Sequence, residues 1–169
     1  MTPRTFPAWR IGIGADDAGY SYKETIKLDL EASPLVDAVR DFGVAADGHD
    51  AYGLVAANVG EAIRAGEFDR GLLICGTGLG MAIAANKIPD IRAAAAHDSF
   101  SVERLVKSNN AQILCLGQRV LGIELARRLV AEWLTYRFDP TSASAAKVAV
   151  ISAYEGRLAA GAPGRQACG

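Results

Sequence analysis

The chain has 169 residues, half of them hydrophobic and 22% charged, with a formal net charge of −1. That length suggests one domain of the ~150-residue size, able to bury roughly 68–70% of its extended-chain surface, so neither a disulfide nor a metal is required to hold it together. The near-zero charge gives no support to a nucleic-acid or anionic-membrane partner, and no apolar run approaches the ~18–20 residues of a membrane span. The opening MTPRTFPAWR lacks the apolar stretch of a signal peptide. Cys75, Cys115 and Cys168 are odd in number and have no metal-ligand spacing, which fits a reducing cytoplasm better than a disulfide framework or a zinc site.

Trp9 to Ala15 (WRIGIGA) is short, apolar and glycine-rich, and reads as a strand. Tyr22 to Glu31 reads as a helix, and Leu35 to Phe42 as a weaker strand. Leu54 to Ala65 is helical, because Val55, Val59, Ala62 and Ile63 fall on one face. Arg70 to Cys75 (RGLLIC) is the continuous apolar run expected of a strand buried on both sides. A helix is expected over Gly80 to Asn86, a strand over Ile91 to Ala96, and a helix over Ser99 to Lys107. Ala111 to Leu116 is the clearest late strand, and Ile123 to Tyr136 is a long amphipathic helix. A turn-rich linker from Phe138 leads to a last helix, Ala145 to Leu158, expected to pack elsewhere or on a partner subunit. Residues 159–169 read as a disordered tail. Strands and helices alternating at this spacing predict an α/β fold with a parallel sheet covered on both sides.

The strongest chemical signal is Cys75-Gly-Thr-Gly-Leu-Gly80, between a buried strand and a helix. Glycines there let the backbone turn tightly and aim several N–H groups at one point. With a helix N-terminus behind them they can stabilise an anion, a phosphate or an enediolate. The place fits, since open α/β sheets bind ligands at the carboxyl ends of their strands. Cys75 is then a candidate base or nucleophile; the alternative is a small core residue followed by an ordinary turn. Asp16 and Asp17, after the first strand, suit sugar hydroxyls or proton relay, or simply cap the next helix. His97 is a candidate for proton transfer, or a structural residue beside an N-capping Asp98. Ser108-Asn109-Asn110 reads as a turn. Arg119 can hold a phosphate or stand exposed. Cys115 is expected in the core.

Four stretches together resemble the family of ribose-5-phosphate isomerase B and the galactose-6-phosphate isomerase subunits. They are IGIGADDAG (11–19), LLICGTGLGMAIAANKIPDIRAA (72–94), HDSFSVERLVKSNNAQILCLGQRVLG (97–122) and IELARRLVAEWL (123–134). Order and spacing match over residues 9–157, a single domain. The resemblance implies a Rossmann-like three-layer α/β/α sandwich with a C-terminal helix at a subunit interface. It implies a homodimer or a dimer of dimers, with active sites shared between subunits. It implies interconversion of an aldose phosphate and a ketose phosphate through an enediol(ate), with no metal and no cofactor.

By the same resemblance Cys75 matches the base that moves the proton between C1 and C2. Thr77 and the backbone N–H groups of Gly76, Gly78, Leu79 and Gly80 match the anion hole. Asp16 matches an aspartate on the substrate's oxygens, Tyr52 a substrate-contacting tyrosine, Asn109 a pocket asparagine, and Arg119 a phosphate-binding arginine. Three departures bear on the substrate. Asp17 stands where the family has a histidine, and a carboxylate repels a phosphate. Ser108 stands where the family has the histidine that opens a furanose ring, and serine cannot fill that role. Ala143 and Lys147 stand where the family has two phosphate-binding arginines, and lysine is a point charge rather than a bidentate fork. A four-carbon aldose phosphate bearing its phosphate on C4 needs no ring opening. The departures point to a substrate other than ribose 5-phosphate, with an erythrose/erythrulose 4-phosphate pair foremost and His97 as a candidate substitute acid; a ribose 5-phosphate enzyme of the family's ordinary kind stands beside it with equal weight. Two alternatives stand beside this: a non-catalytic or sugar-phosphate-sensing partner of a heteromeric isomerase, and a plain nucleotide-binding module. The second lacks a full G-x-G-x-x-G turn after the first strand.

Overall fold

The computed structural model describes residues 6–159. Five strands form one sheet: β1 (Trp9–Ala15), β2 (Val36–Asp41), β3 (Arg70–Cys75), β4 (Ala93–Ala95) and β5 (Ile113–Gly117). Its order is β2-β1-β3-β5-β4, and every neighbouring pair is parallel. The helices are α1 (Tyr20–Glu31), α2 (Tyr52–Arg64), α3 (Leu79–Ala85), α4 (Ser99–Lys107), α5 (Ile123–Thr135) and α6 (Ser144–Ala159). A single 3-10 turn, Asp17–Gly19, precedes α1.

Parallel strands need crossovers, and the crossovers cover the sheet on both faces. One face carries α1, α4 and α5 over Ile11, Ile13, Leu72, Ile74, Leu114 and Leu116. The other carries α2 and α3 over Leu73, Cys75, Ile113 and Cys115. Every residue of β3 and β5 is buried, which is why these two runs are apolar apart from Arg70 at the start of β3. The edge strand β2 has only half-buried and exposed positions, so its pattern in the sequence is weak.

The elements agree with the sequence expectations except at their ends. α1 starts at Tyr20 rather than Tyr22, since the 3-10 turn runs directly into it. α2 starts at Tyr52 rather than Leu54, which puts Tyr52 in its first turn. β4 is reduced to Ala93–Ala95. The tail expected at 159–169 lies outside the described residues, apart from Ala159, the last residue of α6.

The C-terminal end of α5 is held unusually. Arg70 is 4% exposed and donates to the carbonyls of Trp133 and Tyr136, both at 2.6 Å. Trp9 Nε1 donates to Leu134 O at 2.8 Å. These donors satisfy carbonyls that a helix end leaves unpaired, and they tie α5 to the first residues of β1 and β3.

Candidate functional site

The chain leaves β1 toward β2 on one side and returns through β3 on the other. The carboxyl ends of β1 and β3 therefore border the crevice where an α/β sheet of this kind takes its ligand. Three segments meet there: residues 16–19 after β1, 75–80 after β3, and 117–119 after β5.

They meet through backbone. A methyl group on Gly19 would lie 2.3 Å from Ile74 O and 3.0 Å from Cys75 N, so the Asp16–Gly19 turn rests directly on the end of β3. A methyl group on Gly117 would lie 2.7 Å from the carbonyl carbon of Thr77 and 2.8 Å from its Cα, so the Thr77 backbone rests on the end of β5. Gln118 N donates to Cys75 O at 2.9 Å, and Arg119 N to Gly76 O at 3.0 Å. Gly78 takes φ +79, a conformation that only glycine adopts cheaply. That twist aims the Gly78 N–H at Cys75 Sγ, 3.0 Å away. Thr77 Oγ1 accepts from Leu79 N at 3.3 Å.

Cys75 is 5% exposed. Asp16 takes an extended backbone, and its Oδ1 accepts from Gly19 N at 3.1 Å. Burial above all, with the charge of Asp17 adding to it, raises the Asp16 carboxyl above its ordinary value, against the hydrogen bond from Gly19. Asp17 is exposed. The Arg119 side chain lies against Gly76, whose added methyl would be 3.5 Å from the guanidinium. The Tyr52 ring lies against Gly80, whose added methyl would be 2.8 Å from it. A hollow of about 400 Å³ between Tyr52, Gly53, Gly80 and Ile83 adjoins the loop. A second cavity, of about 490 Å³, lies between α1 and α5 against Asp29 and Arg127; it contains none of these groups.

The structure thus gathers Asp16, Asp17, Tyr52, Cys75, Gly76, Thr77, Gly78, Leu79, Gly80 and Arg119 at one edge of the sheet. His97 follows β4 at the same edge, two strands from Cys75, and its Nε2 is buried without a hydrogen-bond partner. Ser108 and Asn109 do not join them. They close α4 and precede β5, at the opposite, amino edge, where Asn109 Nδ2 donates to Arg104 O at 3.1 Å. Lys147 is exposed on α6. Cys115 is fully buried beside Leu73 in the sheet, and burial, with the Cys75 charge adding, pushes its thiol up. It is a core residue.

Gly19 and Gly117 are the site residues that the sequence alone does not single out. Each begins or ends a turn at a strand's carboxyl end, and that position is the available signal.

A family model described as Ribose/Galactose Isomerase matches residues 11–151. The chain is 59% identical over 150 residues to D-erythrulose-4-phosphate isomerase 2 of Mycolicibacterium smegmatis, covering 88% of this chain and 99% of that one. It is 44% identical over 146 residues to D-erythrulose-4-phosphate isomerase of Pectobacterium atrosepticum, covering 86% and 94%. Among solved structures, ribose-5-phosphate isomerase B of Clostridium thermocellum superposes with a TM-score of 0.83 at 40% identity, covering 88% of this chain and 99% of that one. The chain belongs to the ribose/galactose isomerase family of sugar-phosphate isomerases.

Proposed function

We propose that this chain interconverts a phosphorylated aldotetrose and its ketotetrose through a cis-enediol(ate), with erythrose 4-phosphate and erythrulose 4-phosphate as the pair. The observation that carries the chemistry is the turn of residues 75–80, which folds the Gly78 N–H onto the buried Cys75 Sγ at 3.0 Å. Cys75 takes the proton from the carbon beside the carbonyl and returns it to the neighbouring carbon. Negative charge develops on the substrate oxygen meanwhile, and the N–H groups of Gly76 to Gly80 with the Thr77 hydroxyl receive it; such preorganised donors are usually the largest catalytic contribution. Asp16 exchanges the proton carried between the two oxygens, a task suited to a carboxyl raised above its ordinary value by burial.

The substrate follows from Ser108 and from the names of the relatives. A tetrose whose C4 oxygen bears the phosphate has no hydroxyl placed to close a five-membered ring, so an acid for ring opening is not needed. Two relatives that match most of this chain are named for D-erythrulose 4-phosphate. Arg119, beside Gly76, binds phosphate from the carboxyl edge, while Tyr52 walls the hollow next to Gly80.

The working unit is a homodimer with shared sites. Ser108 and Asn109 belong to the amino edge, so a second copy must bring them to Cys75. Two further features support it. α6 is exposed along most of its length, including Val150, Ile151 and Tyr154, and isolated helices of this size are marginal in water. Leu54, Leu79 and Ile83 leave an exposed apolar patch beside the site. Lys147 is placed by this reading in the neighbour's site, where it meets the phosphate, and the compartment is the cytoplasm. Among the described residues no helix is long and apolar enough to cross a membrane.

The test is turnover on ribose 5-phosphate, allose 6-phosphate, galactose 6-phosphate and the erythrose and threose 4-phosphates. The expected result is the highest kcat/KM on a tetrose. A clear preference for ribose 5-phosphate removes the substrate assignment, and no turnover on any of them removes the enzymatic one.

A further inference from the structure

At the amino edge, opposite Cys75, a cavity of about 360 Å³ opens between Trp9, Asp69, Arg70, Asn110, Arg137 and Phe138. Two guanidiniums share it. Arg70 lies over Trp9 at 3.9 Å and Trp133 at 5.0 Å from the ring centroids, and Arg137 lies over Trp9 at 3.4 Å. Their hydrogen bonds all go to backbone carbonyls: Arg70 to Trp133 and Tyr136, Arg137 to Leu134, Tyr136 and Pro7. Among the described residues neither makes an ion pair with a carboxylate. The nearby Asp69 is committed to Arg10, which binds it through Nε at 3.1 Å, NH2 at 2.7 Å and its backbone N at 2.9 Å.

Helix capping explains part of this arrangement. A helix C-terminus carries about −0.5 of an elementary charge, which is too little for two cations. Asp69 lines the same cavity and its charge favours Arg70, but that carboxylate is already shared with Arg10, so two guanidiniums face the cavity with less than one free negative charge between them. Burial, with the charge of Arg137 adding, pushes Arg70 down to about 9, and burial lowers Arg137 as well. Each guanidinium has five N–H donors, so both keep donors that the carbonyls do not use.

We propose that this cavity is an anion site for a phosphate group, with Arg137 as its accessible donor and Arg70 as the charge beneath it. The phosphate has two possible carriers. One is the sugar phosphate bound at a neighbouring copy's Cys75, which would make Arg137 a specificity residue in place of the arginines missing at Ala143 and Lys147; that arm rests on the dimer proposed above. The other is free phosphate or a separate phosphorylated metabolite, at a site independent of turnover.

The experiment is calorimetric titration of the full chain with inorganic phosphate, for wild type, Arg137→Gln and Arg119→Gln, with KM measured alongside. Arg70→Gln is avoided because it strips the α5 end of its cap. Loss of one charge-assisted donor pair weakens phosphate about tenfold or more. The expected result is that loss in Arg137→Gln; Arg119→Gln loses binding as well only where both arginines meet one phosphate, and keeps it where the site is separate. A raised KM in Arg137→Gln assigns the site to substrate; an unchanged KM assigns it to a separate ligand. Equal phosphate affinity in wild type and Arg137→Gln, or no measurable binding by either, overturns the proposal. The titration reads binding without turnover, so it stands or fails separately from the isomerase assignment.

Discussion

Replacing Gly117 by alanine tests the claim that backbone contacts hold the reactive turn. The new methyl would sit 2.7 Å from the Thr77 carbonyl carbon and 2.8 Å from its Cα and O, whereas ordinary contact begins at 3.4 Å. The atoms in the way are main chain, so no rotamer change relieves the clash, and Thr77 must retreat by about 0.7 Å. Misplacing a reacting group by about 1 Å costs on the order of 10²-fold in rate. The expected kcat for Gly117→Ala is therefore about 10- to 100-fold below wild type. Overpacking costs about 1–3 kcal/mol, which lowers Tm by roughly 2–12 °C for a domain of this size. Turnover would be followed with the best tetrose phosphate, and solvent deuterium incorporation at the substrate would report the proton-transfer step. Gly122→Ala is the control, because nothing lies within 4 Å of its added methyl. A folded Gly117→Ala variant with kcat within about twofold of the control would refute the argument that this contact positions the turn.

Cys75→Ala should lower kcat by about 10²- to 10⁴-fold, the usual contribution of a general base, while substrate still binds in a titration; unchanged turnover would remove Cys75 from the mechanism. Asp17→Asn removes the charge that assists burial in raising Asp16, so the acid limb of kcat/KM should move to lower pH; a limb that stays in place separates Asp16 from the titration. Mixing Cys75→Ala with Asn109→Ala subunits should restore about a quarter of wild-type activity if each site combines two copies of a symmetric dimer. Recovery of nothing beyond the sum of the separate variants would count against shared sites.

Much of the fold was legible because burial and pattern coincide. β3 and β5 are buried at every position, and after Arg70 the sequence shows them as apolar runs. β2 is an edge strand with little burial, and it reads weakly for that reason. The 75–80 stretch was legible as a turn because its glycines follow a buried strand, and Gly78 takes φ +79; an ordinary turn reads the same way, so its chemistry was legible only through the family resemblance. The placement of Ser108 and Asn109 was not read from their residue types, since asparagines after a helix look alike at either edge. Their position before a strand, rather than after one, puts them away from Cys75. The close stacking at Gly19 and Gly117 depends on the order β2-β1-β3-β5-β4, which no local pattern encodes.

The reactive turn is built chiefly from main chain: N–H groups, a glycine twist, and two bare Cα positions pressed against carbonyls. Main chain is the same whatever residues surround it. Ser108 and Ala143, where this chain departs from the pattern it resembles, lie outside that frame, while Asp17, a third departure, sits in the turn that packs on β3. On the proposed reading, changes at Ser108 and Ala143 alter what the pocket welcomes without touching Cys75, whereas a change at Asp17 also reaches Asp16. Such a scaffold separates the two tasks of an enzyme. One part performs a step common to all aldoses and ketoses, and the interchangeable side chains decide which sugar arrives. Diversification among sugars of different length then needs only peripheral substitutions and no rebuilding of the centre.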